Sequence, residues 1–340
     1  MGVEWPVHMI RLVQISHPTF GKHVACVDEP RLRIVPGFAT AYELASDAIK
    51  RGKRISEIVK ESAPTDSLEY EPVYKGLSAW TLLPPFGHPV DPAHCFVTGT
   101  GLTHKKSAEN RQSMHGDPWE LTDSMKMYRI GLEGGRPDAG CIGASPEWFY
   151  KGTGTILRGQ NQPLAVPNHG EDGGEEAEIA GVYLVGPEGA VFRVGFVQGN
   201  EFSDHVMEAR NYLYLAQSKL RCCAIGPELI VDSEFNDVRG KAWIEREGRL
   251  IWIGPLSSGE RYMCHSLANM EHHHFKHSEH RREGDVHVHF FGADLFSFKD
   301  RVRMQDDDVM VVTFENFGRA LRNPIKFDKV EQKVVSVKPL

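Results

Sequence analysis

At 340 residues, with 41% hydrophobic and 25% charged side chains, the chain is long enough to bury one large core or two, within the ordinary globular range. Its formal net charge of −7 gives no reason to expect nucleic acid or an anionic membrane as a partner. Six scattered cysteines without C-x-x-C spacing fit reduced, buried thiols rather than a disulfide framework or a zinc site. With no sustained apolar core in Met1–Val13 and no run of membrane-spanning length, a cytoplasmic protein is expected.

In chain order, Met9–Gln14 and Lys22–Val27 read as short strands around a turn at Pro18-Thr19-Phe20-Gly21, with Arg31–Val35 as a third. Ala39–Lys60 carries a helical stripe of Leu44, Ala48, Ile55 and Val59. Composition loosens over Glu61–Ser67, a linker candidate, and turns proline-dense over Leu82–Pro92 before the apolar run Cys95–Thr98. The boundary is placed between Ser62 and Pro92, giving a small N-terminal α+β domain (1–75) and a β-rich catalytic domain (76–340). Helices are expected over Asp204–Leu220 and Ser266–Arg281, and strands over His287–Phe291 and Val309–Phe314. The chain shows no internal repeat.

The most informative stretch is Glu175–Glu201. Glu176 and Glu178 open an apolar, β-branched run, and strand alternation projects both from one side. Gly186-Pro187-Glu188-Gly189 is a turn, and Ala190–Gln198 runs back to Asn200-Glu201. An antiparallel return brings Glu201 to the same end of the pair. Three carboxylates meeting there would repel one another unless a divalent cation lay between them, and an all-oxygen set suits Mg²⁺, with Mn²⁺ or Ca²⁺ possible, rather than Zn²⁺. The alternative is three solvated acids on a hairpin.

With these residues laid out, the chain resembles the fumarylacetoacetate hydrolase superfamily over nearly its whole length. Glu176-Ala177-Glu178-Ile179 matches that family's glutamate–any–glutamate–aliphatic strand, and Asn200-Glu201 its asparagine–aspartate pair one hairpin later. Lys219, ahead of Gly226-Pro227, matches the following lysine, and Pro146–Lys151 the upstream Pro…Phe-Phe-x-Lys strand. Gly101-Leu102-Thr103-His104 partly matches a Gly-Leu-Asn-Tyr loop, and Gly284-Asp285-Val286 a Gly-Asp-Val turn. The resemblance implies a mixed β-roll with a divalent metal at its mouth, assembled as a homodimer. Two departures narrow it. Glu201 stands where the family has Asp, and Ser107 and Asn110 stand where its hydrolases place a water-activating His and Glu. The pattern is similar to a bacterial sugar-acid branch, the 2-keto-3-deoxypentonate dehydratases.

The resemblance implies a 2-keto acid substrate, whose keto oxygen a bound metal polarises so that a C3 proton can leave. A hydroxyl on C4 then leads to dehydration of a substrate such as 2-keto-3-deoxyarabinonate. A C4 carbonyl with activated water leads instead to an acylpyruvate or fumarylacetoacetate type C–C hydrolase. The third reading is a catalytically silent member that binds a sugar acid. Glu176, Glu178 and Glu201 are the expected metal ligands. Lys219 is the candidate base, or else a permanent cation among the glutamates. His104 is the candidate acid, or a loop histidine without a role, with Lys106 as a substitute. Lys151, Lys219 and Asn200 are the expected substrate contacts, Lys151 alternatively pairing a sheet carboxylate.

Other signals lead nowhere. The histidines of Glu271–His277 and His280 lack H-E-x-x-H spacing and are expected on an exposed helical face. His287 and His289 share a strand face and either line the pocket or pack in the sheet. Gly99–Ser107 fails as a phosphate loop, Gly152–Gly154 as a dinucleotide fingerprint, and Gly143–Glu147 as a nucleophile elbow.

Overall fold

The computed structural model describes residues 9–63, 67–115 and 121–340. Residues 1–8, and 64–66 in the middle of the expected linker, lie outside the described residues. β1 (Ile10–His17), β2 (Gly21–Asp28) and β3 (Arg31–Ile34) form where patterning places them. The helical stretch is two helices, not one. α1 (Ala41–Arg51) stops at Gly52, whose φ of 61° lets its N–H close on the carbonyls of Ala48 and Ile49, and α2 (Ile55–Glu61) begins afresh. β4 (Ser67–Glu69), α3 (Tyr70–Tyr74), β5 (Thr81–Leu83) and β6 (Cys95–Gly99) follow. Next come α4 (Lys105–His115) and α5 (Asp123–Gly134), both unexpected; the sequence of α4 has no apolar stripe for periodicity to detect.

β7 (Phe149–Thr153), β8 (Leu157–Arg158) and β9 (Leu164–Val166) lead into the central hairpin, β10 (Ala177–Val185) and β11 (Val191–Asn200). The helix expected over Asp204–Leu220 is broken into α6 (His205–Arg210) and α7 (Leu215–Lys219). Asn211 between them is extended and caps the intervening turn, its side chain accepting the Leu213 N–H at 2.9 Å. β12 (Cys223–Ile225), β13 (Leu229–Val231), β14 (Val238–Arg246) and β15 (Arg249–Ser258) come next. The second expected helix shortens to α8 (Leu267–Phe275), before β16 (Val286–Phe290), β17 (Val309–Phe314) and β18 (Leu321–Phe327). Among the described residues no helix is long and apolar enough to cross a membrane.

The chain is thus mixed helix and sheet. One sheet runs β4-β3-β2-β1-β13-β11-β10-β16-β6-β7, with β5, β12 and β8 attached beside that path, and a second runs β15-β14-β17-β18-β9. β10 is buried along its whole length because both of its faces are covered. Ala180, Val182 and Leu184 share a core with Leu44, Ala48 and Ile58 of the helices, while Ala177, Ile179 and Tyr183 share one with Ala242, Ile244 and Val312 of the second sheet. Two covered faces require an unbroken apolar run, which is what the sequence supplies.

The first sheet is continuous through β1 and β13, which pair antiparallel with Arg11 opposite Ile230. Beside that joint lies Glu228, fully buried. It accepts hydrogen bonds from the Tyr70 hydroxyl (3.0 Å) and the Arg319 backbone N–H (3.1 Å), and forms an ion pair with Arg11 at 3.1 Å. Gly318 next door has a φ of +79°, and a Cβ there would run into this carboxylate.

The histidine run is not the exposed face it was expected to be. His272 and His277 are exposed, but His273 and His274 are buried. His274 Nδ1 accepts the Trp148 indole N–H at 3.1 Å, so in the neutral ring Nε2 carries the proton and donates to His287 Nδ1 at 2.9 Å. His289 sits between the hydroxyls of Thr98 and Thr100, each 2.7 Å from a ring nitrogen. Both β16 histidines therefore pack inside the sheet. Burial pushes His287 and His289 down to about 3, and His274 well below its ordinary value. These depressed values make the native state bind fewer protons than the unfolded chain below about pH 6.5, so stability falls as pH drops through that window toward about 3. The slope is about 1.4 kcal/mol per pH unit for each group. Urea midpoints measured from pH 7.5 to pH 5 should decline, and less steeply in His287→Phe. An equal slope in that variant removes His287 from the account.

Candidate metal centre

The register of the central hairpin positions the acids. Ala177 pairs with Asn200 and Glu178 with Gly199, and the Glu201 N–H donates to the Glu176 carbonyl at 2.8 Å, so Glu176 and Glu201 face each other across the open end. Glu176, Glu178 and Glu201 are all buried, and one carboxylate oxygen from each lies within 4.8 Å of the other two. Their environments differ. Glu176 Oε1 receives Lys219 Nζ at 2.7 Å and lies 3.0 Å from His205 Nε2. Although burial opposes it, Lys219, His205 and Arg111 hold Glu176 well below the usual carboxylate range. Glu201 is bound by Lys151, by Lys219 at 2.6 Å and by the Ser203 hydroxyl at 3.3 Å; burial nonetheless raises it. Glu178 accepts the Gly292 N–H at 2.7 Å and touches no cation among the described residues, and burial, then Glu201 and Glu176, push it well above its ordinary value. This strain is of the kind that a dication relieves, and the oxygen-only donor set fits Mg²⁺, Mn²⁺ or Ca²⁺.

Lys219, at the end of α7, uses three donors on Glu176, Glu201 and the Ser203 hydroxyl (2.9 Å), and lies 3.5 Å from Glu208. Against the cost of burial, Glu176, Glu201 and Glu208 raise its pKa, so the amine is cationic in the open cluster. Lys151 is as fully buried, and its amine binds the Glu201 carboxylate and the carbonyls of Phe202 (3.1 Å) and Lys219 (3.0 Å). It pins Glu201, with no donor left for a substrate. Asn200 is likewise occupied: its Oδ1 accepts the Glu176 N–H at 3.2 Å, and its amide nitrogen faces Met310 Sδ at 3.6 Å. His104 is buried at the start of α4, with Nδ1 2.9 Å from the Thr103 hydroxyl. Burial lowers it to about 4, so at neutral pH the ring has no proton to spare for a leaving group. Lys106 pairs with Asp294 at 2.8 Å.

Four further residues belong to the centre, and the sequence reading missed them. Glu208 and His205, three apart on α6, both point into it. Glu208 pairs with Arg111 at 2.8 Å and accepts the Ser218 hydroxyl at 2.7 Å. His205 stacks on Phe296, the ring centroids 4.5 Å apart. The i, i+3 spacing directly after Glu201 was the available signal. Arg111 reaches in from α4, where nothing in the pattern flagged it. Glu147, half-buried, receives the Tyr212 hydroxyl; burial raises its carboxyl, with Tyr212, Arg111 and Lys219 opposing. Its side chain occupies the space that Gly101 leaves open.

No protein-family model matches the chain. It is 26% identical over 179 residues to a probable 2-keto-3-deoxyxylonate dehydratase of Haloferax volcanii, a match spanning 51% of this chain and 58% of that relative. Its fold superposes on 2-keto-3-deoxy-D-arabinonate dehydratase complexed with magnesium and 2,5-dioxopentanoate, with a TM-score of 0.68 at 18% identity over 94% of this chain and 100% of the other. A 5-carboxymethyl-2-hydroxymuconate delta-isomerase from Mycobacterium smegmatis follows at a TM-score of 0.56 and 17% identity, with the same coverage. In fold, and in the part of its sequence that matches, the chain is similar to the sugar-acid dehydratases of the fumarylacetoacetate hydrolase superfamily.

Proposed function

We propose that the protein is a Mg²⁺-dependent lyase that dehydrates a 2-keto-3-deoxy sugar acid such as 2-keto-3-deoxyarabinonate. The observation that carries this reading is the meeting of Glu176, Glu178, Glu201 and Lys219 in one buried centre. Ser107 and Asn110 stand in the sequence register where the hydrolases it resembles place a water-activating His and Glu, which favours elimination over hydrolysis. The magnesium and 2,5-dioxopentanoate in the similar solved structure support the metal and the substrate class, since that compound is what a 2-keto-3-deoxypentonate becomes on losing water. In this reading residues 76–340 form a mixed β-roll behind a small N-terminal unit of residues 1–75. The protein acts as a cytoplasmic homodimer, where its six free thiols stay reduced.

Glu176, Glu178 and Glu201 would hold the cation, with Lys151 bracing Glu201 and Asn200 bracing Glu176. When bound, the cation supplies Lewis acidity toward the substrate's keto oxygen. Lys219 Nζ takes the C3 proton. A cation held by Glu176 and Glu201 would take up the charges that raise this amine and leave burial to favour its neutral form. The C4–O bond then breaks with its electron pair on oxygen, and the Glu147 carboxyl supplies the proton that makes the leaving group water; the C3–C4 alkene left behind becomes the 2,5-dioxo product by moving one proton from C5 to C3 and the proton of the C5 hydroxyl to C4. Glu147 thus takes the role that the sequence suggested for His104.

The test uses metal-stripped protein resupplied with Mg²⁺ and given 2-keto-3-deoxypentonate and an acylpyruvate in turn. Release of 2-ketoglutarate semialdehyde from the first, only with metal, is the expected result. Pyruvate from the acylpyruvate would make the protein a hydrolase instead, and metal-dependent binding without turnover of either would make it a silent binder.

A further inference from the structure

Of the lysines and arginines that touch the glutamates of the centre, two have no donor to give. Lys151 is spent on Glu201 and backbone carbonyls, and Lys219 on Glu176, Glu201 and Ser203. Arg111 differs. It is 4% exposed; one terminal nitrogen, Nη2, is 2.8 Å from Glu208 and 3.8 Å from Glu176 Oε1, while Nε and Nη1 have no partner among the described residues. The guanidinium also lies over the Phe296 ring, 5.2 Å from its centroid, a cation–π contact that helps hold it in place. A buried arginine with idle donors is an energetic fault in an empty site and an asset in a filled one, because unmade hydrogen bonds of a desolvated cation cost more than neutral ones.

We infer that Arg111 is the residue that receives the substrate's carboxylate, and so sets the preference for 2-keto acids over neutral 2-keto compounds. This inference rests on the dehydratase reading for the substrate class, but not for the existence of the anion site. Arg111 Nη2 stands 3.8 Å from Glu176 Oε1, so the guanidinium flanks a glutamate that would hold the cation, where a chelated 2-keto acid would bring its carboxylate. Guanidinium suits the task better than ammonium, since its planar fork can serve Glu208 with one nitrogen and a second carboxylate with another.

Arg111 alone cannot be removed cleanly, because Glu208 would be left as a buried unpaired charge. The comparison is therefore between Glu208→Gln and the double variant Arg111→Met/Glu208→Gln, both loaded with Mn²⁺ and titrated calorimetrically with pyruvate. Pyruvate affinity should fall about 10- to 100-fold in the double variant, the range for hydrogen bonds to a charged group, while Mn²⁺ affinity stays within about threefold. Affinity for a neutral probe, methyl pyruvate, should not change. Equal pyruvate affinity in the two variants overturns the assignment, as does a loss that merely follows a loss of Mn²⁺. Arg111-dependent pyruvate binding in a protein that turns over no 2-keto-3-deoxypentonate keeps the anion site and removes the dehydratase reading alone.

Discussion

Glu178→Gln protein, stripped and then dialysed against Mg²⁺, should keep no stoichiometric metal where the wild type keeps it. Among the three candidate ligands Glu178 is the informative one, because no cation among the described residues depends on it. Its one described hydrogen bond comes from the Gly292 N–H at 2.7 Å, which a glutamine carbonyl can accept equally well. The substitution therefore removes charge with little change of shape. In the metal-free protein it relieves repulsion from Glu201 and Glu176, so the unfolding midpoint without metal should hold or rise. Metal affinity should drop by more than the ~10- to 100-fold typical of residues that only support a ligand, and the rise in Tm on adding Mg²⁺ should vanish. A variant with wild-type metal content would remove Glu178 from the centre.

Lys219→Met should show the opposite pattern. Its amine lies among Glu176, Glu201 and Glu208, and without it three buried carboxylates lose a shared counter-charge. Breaking a buried pair in this way costs about 3–5 kcal/mol, so metal-free protein should be markedly less stable. Mg²⁺ should return much of that loss by replacing the missing positive charge. Turnover should not return: with no amine to take the C3 proton, kcat should stay about 10²- to 10⁴-fold down even when the site is saturated with metal. A metal-loaded variant with near wild-type kcat would make Lys219 a counter-charge alone. The two variants thus separate holding the cation from moving the proton, one losing metal at full stability and the other losing stability and rate while metal still binds.

The centre was legible where its geometry is local. Alternation along 176–178 and the turn at 186–189 suffice to bring three acids together, because a hairpin's register follows from its own residues. The residues around them come from far along the chain. Arg111 arrives on a helix without an apolar stripe, and Glu147 from a loop, so neither has a periodicity to betray it. For a related reason, the sequence left Lys151 between substrate and a sheet carboxylate and did not show what Asn200 is bonded to. Spacing shows that a polar residue is near a site, but not whether its hydrogen bonds are already taken, and both are spent on backbone and ligand support. For the fold, strands were easier than helices. The breaks at Gly52 and Asn211 depend on single residues that leave the apolar stripe on either side intact, and α8 ends at Phe275, where the Lys276 N–H closes on the His272 carbonyl.

The seam between β1 and β13 has a further consequence. A chain cut after residue 75 would bare one side of β13 and strip Glu228 of both Tyr70 and Arg11, leaving a desolvated acid with only the Arg319 backbone to answer it. The strands and helices from β1 to α3 are therefore a wall of the same fold rather than an appendage. A graft between relatives would have to carry Arg11 and Tyr70 across with their acid as a set, and residues 76–340 expressed alone would present a raw strand edge to its neighbours.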